Sequence, residues 1–205
     1  QFILQMAFLI LAFADPVAAS IGERATRRAP HRGETSKTWL GSAAFFITAG
    51  PLCAAALILF APQAQRPALP ELLLLSLLVA STTTAVEALG GRGWDNLFIV
   101  ITAVVQLLVW WQDPATLVTM SWGVLAGVLF AIVSWRLQFL TPSGALADGL
   151  SGASLVGLGG WGWIVPAMAF FVLSSLLSRI TPRLERGATR SAPRAWWTLR
   201  WAGLP

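Results

Sequence analysis

The chain is poor in charge and in the side chains that build many soluble sites. Charged residues make up 11% of its 205 positions and apolar residues 56%, with a mean hydropathy of +0.70. A soluble domain carries about 25% charged residues. The one cysteine, Cys53, excludes an internal disulfide framework, and the one histidine, His31, excludes a metal site built from several histidines.

Long apolar runs take the place of these features. Runs of about 20 residues with few charges follow one another, and each is long enough to cross a bilayer. We therefore predict an all-α fold, a polytopic transmembrane helix bundle of about seven spans. Because the chain opens with Gln1 inside an apolar run, we expect it to be N-terminally truncated. The predicted helices cover residues 1–22, 39–60, 70–89, 95–111, 115–134, 144–158 and 162–179.

The basic residues lie in loops beside the predicted spans. This placement is a topology signal rather than a nucleic-acid signal, so we expect no nucleic-acid partner. With seven spans, every cation except Arg66 falls on one side of the membrane. The positive-inside rule makes that side cytoplasmic.

An acidic residue interrupts the first apolar run. Asp15 follows fourteen largely apolar residues, and a carboxylate at membrane depth costs a few kcal/mol or more, which makes Asp15 a functional candidate. Pro16 lacks a backbone donor, so we predict a kink here or a helix that restarts with Asp15 as its N-cap. Ala18 and Gly22 share the helical face of Asp15 and leave room for a ligand.

The start of the second span suits a phosphate. Lys37 and Ser42 bracket it, and the beginning of a helix offers unpaired N–H groups and a positive dipole end. Lys37 adds a point charge and Arg32 a planar donor group. The competing interpretation is that Asp15 only caps a helix and that the cations only set the topology.

A second acidic block lies on the same predicted side. Glu87 stands near the end of the third span, and Asp95 and Asn96 open the fourth. Carboxylates gathered there with Asp15 would suit Mg²⁺, which prefers oxygen ligands, and one could accept a proton from an alcohol. For Asp95 the alternative is a helix cap.

These blocks resemble a known family. The pattern Asp15-x-x-Ala18-x-x-x-Gly22, followed by "KTWLGS" at 37–42, is similar to the signature of the dolichol kinase and phytol kinase family. "STTTAVEALGGRGWDNLFI" at 81–99 resembles its downstream block, and the resemblance covers about residues 5–110. It implies phosphorylation of a long-chain isoprenoid alcohol with CTP as phosphoryl donor and Mg²⁺ as cofactor.

The resemblance also implies roles for individual residues. The implied catalytic carboxylates are Asp15, Glu87 and Asp95, and the first two would hold the metal. The implied nucleotide-binding residues are Gly22, Arg32, Lys37, Gly41 and Ser42.

A third block, at residues 137–180, is rich in glycine. "LTPSGALADGL" and the following "GGWGW" resemble the start of a membrane family that contains plant phytyl-phosphate kinase, although Asp148 stands where we expect a smaller residue. Thr141-Pro-Ser-Gly predicts a helix start. Gly144, Gly149, Gly152 and Gly157 would allow close helix packing.

These observations give a domain plan and a function. The resemblances imply that residues 1–134 form a phytol/dolichol-kinase-like membrane domain and residues 135–180 a partial phytyl-phosphate-kinase-like region. Residues 181–205 are a basic, Trp-rich tail. The predicted protein is a multi-pass membrane kinase whose active face is cytoplasmic. Its predicted partners are a lipid alcohol and a nucleotide. The phosphorylation of the alcohol could be coupled to a second phosphorylation, that of phytyl phosphate. The alternatives are a CTP-using lipid cytidylyltransferase, and a non-enzymatic transporter or structural membrane protein.

Overall fold

The computed structural model describes residues 1–27, 37–90, 94–174 and 176–177. The chain divides into two compact units, residues 1–164 and 165–205. The described residues of the second unit are helical. Within the described ranges the secondary structure is helical, with no strand, so the predicted all-α fold is confirmed. The basic tail at 181–205 lies outside the described residues.

The described part of the first unit consists of six α-helices and short connections. A single 3-10 turn, Gln63–Gln65, lies between the second and third helices, and another, Trp161–Trp163, follows the sixth. The helices are α1 Phe2–Arg27, α2 Trp39–Phe60, α3 Leu69–Leu89, α4 Trp94–Gln112, α5 Thr116–Arg136 and α6 Pro142–Gly159.

Five of these helices, α1 to α5, are long and apolar enough to cross a membrane. The two remaining predicted spans, 144–158 and 162–179, correspond to shorter or less apolar helices: α6 has 18 residues, and an apolar helix covers Trp161–Ser174. The prediction of a membrane helix bundle is therefore confirmed, with five helices of spanning character among the described residues.

Pro16 does not break α1. The helix runs without interruption from Phe2 to Arg27, so the prediction that it restarts with Asp15 as an N-cap is wrong. Proline removes one backbone donor, and in a membrane bundle the neighbouring helices hold the flanking turns in place. Ala14 and Ala18, on either side of Pro16, are 0% and 3% exposed and belong to the common core.

The first four helices form a closed ring. α1 packs against α2 and α4, and α3 packs against the same two helices on the other side. The interior is filled by large apolar side chains, among them Met6, Ile10, Phe45, Leu57, Leu75, Ile99 and Leu107. The ring therefore brings the end of α3 and the start of α4 to the same end of the bundle as the start of α2.

α5 and α6 pack against each other more extensively than any other pair and also contact α3. Glycines make this approach possible, because a Cβ added at Gly149 would lie 2.6 Å from the carbonyl oxygen of Gly127. A Cβ added at Gly123 would lie 2.7 Å from the carbonyl oxygen of Ala153 and 2.8 Å from the nitrogen of Gly157. Small residues four apart on both helices let two membrane helices meet backbone to backbone.

The other two glycines of the third block do not contribute to this contact. A Cβ at Gly152 would meet nothing within 4 Å. Gly144 lies in the first turn of α6, where its N–H donates to Oγ1 of Thr141 at 3.2 Å. Thr141 is thus the N-cap of α6, as the sequence predicts, and close packing is confirmed for Gly149 and Gly157 only.

Candidate functional site

A lysine joins two buried carboxylates at one end of the ring. The Lys37 Nζ lies 2.6 Å from Oε1 of Glu87 and 2.8 Å from Oδ2 of Asp95. Glu87, near the end of α3, is 4% exposed, and Asp95, in the first turn of α4, is 8% exposed. Lys37 is the single lysine of the chain, and its side chain remains partly open to solvent.

The first turn of α2 completes the coordination of Glu87. Ser42 Oγ donates to Oε2 of Glu87 at 3.0 Å, so both oxygens of this carboxylate accept hydrogen bonds. Thr38 is the N-cap of α2, and its Oγ1 accepts from the N–H of Gly41 at 3.1 Å. The positive end of the α2 dipole thus lies beside an acidic cluster, which is a stabilising arrangement.

Asp15 belongs to the same cluster. The charges of Lys37, Glu87 and Asp95 all act on its carboxylate, which is partly buried on α1. Among the described residues Asp15 forms no hydrogen bond or ion pair with another side chain. We call these four residues together with Ser42 the ionic cluster. It places three carboxylates against one ammonium, and this leaves a formal excess of negative charge.

Hydrogen bonding sets the protonation state of Lys37. Burial would lower the pKa of its ammonium, but the hydrogen bonds to Asp95 and Glu87 outweigh burial and hold the pKa above its usual value of 10.5. Lys37 is therefore cationic at neutral pH, and it can serve as a fixed positive charge for an anionic ligand.

Close packing of α1 on α2 positions Asp15 beside the start of α2. A Cβ added at Gly41 would lie 3.0 Å from the carbonyl oxygen of Ala18, and one added at Gly22 would lie 3.0 Å from Oγ1 of Thr38. The space beside each glycine is therefore filled by the neighbouring helix. Their assignment to nucleotide binding stays a prediction, whereas their role in helix packing follows from the geometry.

The contribution of Gly90 was not predicted from the sequence. This residue caps the end of α3, and a Cβ added to it would overlap the Cβ of Asp95 and lie 2.8 Å from its Cα. Only glycine lets the first turn of α4 come this near to the end of α3. The signal in the sequence was the three glycines between Glu87 and Asp95, at positions 90, 91 and 93.

The carboxylates of the ionic cluster offer oxygen atoms, the ligands that magnesium prefers. Among the described residues, no three His, Cys, Asp or Glu side chains form a group that could hold a metal ion alone. Mg²⁺ in nucleotide sites is usually held by one or two carboxylates, with phosphate oxygens and water as further ligands. Asp15 and Glu87 are two carboxylates of this kind, with Lys37 beside Glu87, and their assignment as magnesium ligands stays a prediction.

The structure thus gathers most of the predicted site. Five predicted residues meet in the ionic cluster, namely Asp15, Lys37, Ser42, Glu87 and Asp95. Gly22 and Gly41 lie beside it in the contact of α1 with α2. Arg32 lies outside the described residues.

One known protein family matches the chain, in a part that lies outside the ionic cluster. A family described as integral membrane protein DUF92 matches residues 124–199, from the middle of α5 onward. This range contains the predicted region 135–180 and excludes the ionic cluster. No curated protein and no solved structure matches the chain. The family match and the five apolar helices together define a multi-pass integral membrane protein.

Proposed function

We propose that the protein phosphorylates a long-chain isoprenoid alcohol, such as phytol, with CTP at the cytoplasmic membrane interface. The observation that carries this proposal is the ionic cluster, in which Lys37 bridges Glu87 and Asp95 at one end of a bundle of apolar helices. The resemblance of these blocks to the dolichol kinase and phytol kinase family supports the substrate class and the nucleotide. The distribution of the cations supports the cytoplasmic side.

The cluster has the parts that phosphoryl transfer requires. This reaction depends mainly on positioning and on neutralising phosphate charge. Lys37 would bind phosphate oxygens beside the positive end of the α2 dipole, near the predicted nucleotide-binding residues Gly41 and Ser42. Asp15 and Glu87 would hold Mg²⁺, which would neutralise charge on the phosphates when bound.

The proposed step transfers the terminal phosphoryl group of CTP to the lipid alcohol. The alcohol oxygen forms a bond to the terminal phosphorus of CTP, and the bond from that phosphorus to its bridging oxygen breaks. CDP leaves with the bonding electron pair, and the hydroxyl proton passes to a carboxylate of the cluster. Asp95 belongs to the set that can take this proton, since the nucleotide phosphates would compete with it for Lys37.

A second phosphorylation forms part of the proposal for residues 135–180. Their resemblance to the phytyl-phosphate kinase family suggests that the product of the first step, an isoprenoid monophosphate, is the substrate of the next. The packing of α5 and α6 on α3, the helix that carries Glu87, favours a region that works beside the ionic cluster.

The test uses membranes that contain the full chain, CTP labelled in its terminal phosphate, and phytol. We expect labelled phytyl phosphate and CDP. In a parallel assay with a lipid monophosphate in place of phytol, release of labelled pyrophosphate with formation of a CDP-linked lipid would identify a cytidylyltransferase instead. Absence of any nucleotide-dependent lipid product would overturn the proposal and favour a transporter or structural protein.

A further inference from the structure

Two adjoining cavities form a groove on the side of α3 that faces α5 and α6. One has a volume of about 260 Å³ and the other about 200 Å³. They share Thr82, Val124 and Ala153 as lining residues, so they lie end to end. We call the pair the α3–α6 groove.

The groove is long and follows the helices. One end is lined by Ala85, Ile132 and Leu146, and the other by Met120 and Leu158. Along α5 the distance from Met120 to Ile132 is about 18 Å, at a rise of about 1.5 Å per residue. One leaflet of a hydrocarbon core is about 15 Å thick, half of about 30 Å. The groove therefore has the length of one extended lipid chain within a leaflet.

The walls suit a hydrocarbon chain rather than a polar ligand. Most lining side chains are apolar. The hydroxyls of Ser81, Thr82 and Ser154 donate to backbone carbonyls of their own helices at 2.8 to 3.0 Å. Gln106 Nε2 donates to Oγ1 of Thr82 at 2.9 Å. Because these polar groups bind one another or the backbone, a chain in the groove would leave few of them without a partner.

One end of the groove lies at the depth of the ionic cluster. Ala85, which lines that end, precedes Glu87 by two residues on α3, or about 3 Å along the helix axis. Ser42 and Lys37 contact Glu87 on the ring side of α3, and the groove lies on its α5–α6 side. A chain in the groove would thus place its hydroxyl at the level of the ionic cluster but on the other side of α3, so the hydroxyl would reach the cluster around the end of that helix.

We propose that the α3–α6 groove binds the hydrocarbon chain of the lipid alcohol, and that the Met120–Leu158 end limits its length. The inference rests on the proposed function for the identity of the lipid. The two chain ends have fixed positions in it: the hydroxyl lies at the Ala85 end, and the last isoprene unit lies between α4, α5 and α6.

The first test measures binding of the lipid alcohol and does not depend on kinase activity. The full chain in nanodiscs is irradiated with a twenty-carbon isoprenoid alcohol that carries a diazirine on its last isoprene unit. We expect adducts on α5 and α6 around Met120, Ser154 and Leu158, and we expect excess phytol to suppress them. Adducts spread over the lipid-facing surfaces of α1 and α2, unaffected by phytol, would overturn the groove.

The second test uses chain length. Ser154→Phe narrows the far end, so it should raise the KM for a twenty-carbon alcohol at least tenfold and leave that for a ten-carbon alcohol unchanged. Ala85→Phe narrows the near end and should raise both. Ala147→Phe adds the same ring to an exposed position of α6 and is the matched control. Equal effects of Ser154→Phe on both alcohols would contradict the proposal, and Ser154→Leu provides a smaller change if the phenylalanine variant does not fold.

The two tests also separate the two proposals. Suppressible adducts at the far end without any phosphorylated product would keep the groove and overturn the kinase function. Phosphorylation with adducts elsewhere would keep the kinase and overturn the groove.

Discussion

The ammonium of Lys37 lies 2.6 Å from Oε1 of Glu87, across 50 residues of sequence. The contact ties the start of α2 to the end of α3, and Asp95 extends it to α4. A buried carboxylate without such a partner would be costly, and removing one partner of a buried pair is more destabilising than the pair itself is stabilising. The contact therefore couples the stability of this end of the bundle to the proposed chemistry.

Removal of the Glu87 charge should abolish the proposed activity. Glu87→Gln keeps the size of the side chain but weakens the ion pair with Lys37 and removes a proposed metal ligand. We expect kcat to fall at least about 100-fold, in the range of losses seen when a charge-stabilising group is removed. The free energy of unfolding should fall by about 2 kcal/mol. Labelled phytyl phosphate and thermal unfolding in detergent measure the two effects.

Glu71→Gln is the control for this change. Glu71 lies in the first turn of the same helix, is exposed, and accepts only a 3.4 Å hydrogen bond from Ala68 N–H. Activity and stability should stay close to those of the unchanged chain. Equal losses in the two variants would show that charge at any position of α3 matters, and not the ionic cluster.

Alkaline pH should weaken the contribution of Lys37 to stability. Its pKa in the folded protein is raised above 10.5, so the stabilisation is complete below about pH 10.5 and is lost as the pH rises through the folded pKa. We expect the difference in Tm between the unchanged chain and Lys37→Met to be constant from pH 7 to about pH 9.5 and to shrink above about pH 10.5. A difference that grows in that alkaline range would refute the role of the ammonium.

The contact of α1 with α2 should tolerate no side chain at Gly41. A Cβ there would press on the backbone oxygen of Ala18 at 3.0 Å, so Gly41→Ala should move α1 and lower the free energy of unfolding by about 1 to 3 kcal/mol. It should also lower kcat, because Asp15 and Ser42 lie on the two helices that separate.

Gly50→Ala on the same helix is the matched control. A Cβ there would meet only the Cβ of Ala80 at the ordinary distance of 3.7 Å. Alanine in a helix interior is favoured over glycine by about 0.5 to 1 kcal/mol, but a Cβ at position 50 also meets the ring of the following Pro51, which disfavours helical backbone. These two effects oppose each other, so the loss of stability should be smaller than that of Gly41→Ala. Thermal unfolding of the two variants under the same conditions measures this difference in stability.

In the contact of α5 with α6, replacing glycine by alanine should lower Tm only where the new Cβ would meet the other helix. Gly149→Ala places a Cβ 2.6 Å from the carbonyl oxygen of Gly127, whereas Gly152→Ala places one in open space. We expect Gly149→Ala to lower Tm by several degrees and Gly152→Ala to leave it unchanged or raise it. If both variants unfold alike, backbone contact does not hold these helices together.

Much of the fold could be read from local patterns. The predicted spans 39–60, 70–89 and 95–111 agree with α2, α3 and α4 within a residue, because an apolar run bounded by proline or glycine determines a membrane helix by itself. The N-cap Thr141 was readable for the same reason, since a cap involves residues only three positions apart.

The continuity of α1 was not readable in this way. Pro16 removes a backbone hydrogen bond, and the sequence pattern favours a break there. The buried alanines on either side show that contacts with other helices decide the outcome. Local propensity and tertiary packing were in conflict at this position, and packing prevailed.

The sequence by itself determined an all-helical membrane protein, and it identified most of the charged side chains that could act together. Only the tertiary structure decided that Lys37 pairs with both Glu87 and Asp95, that Ser42 takes the second oxygen of Glu87, and that Gly90 brings Asp95 close. The physical reason is range. Hydrophobic period and capping act within a few residues, whereas an ion pair between separate helices depends on how those helices pack.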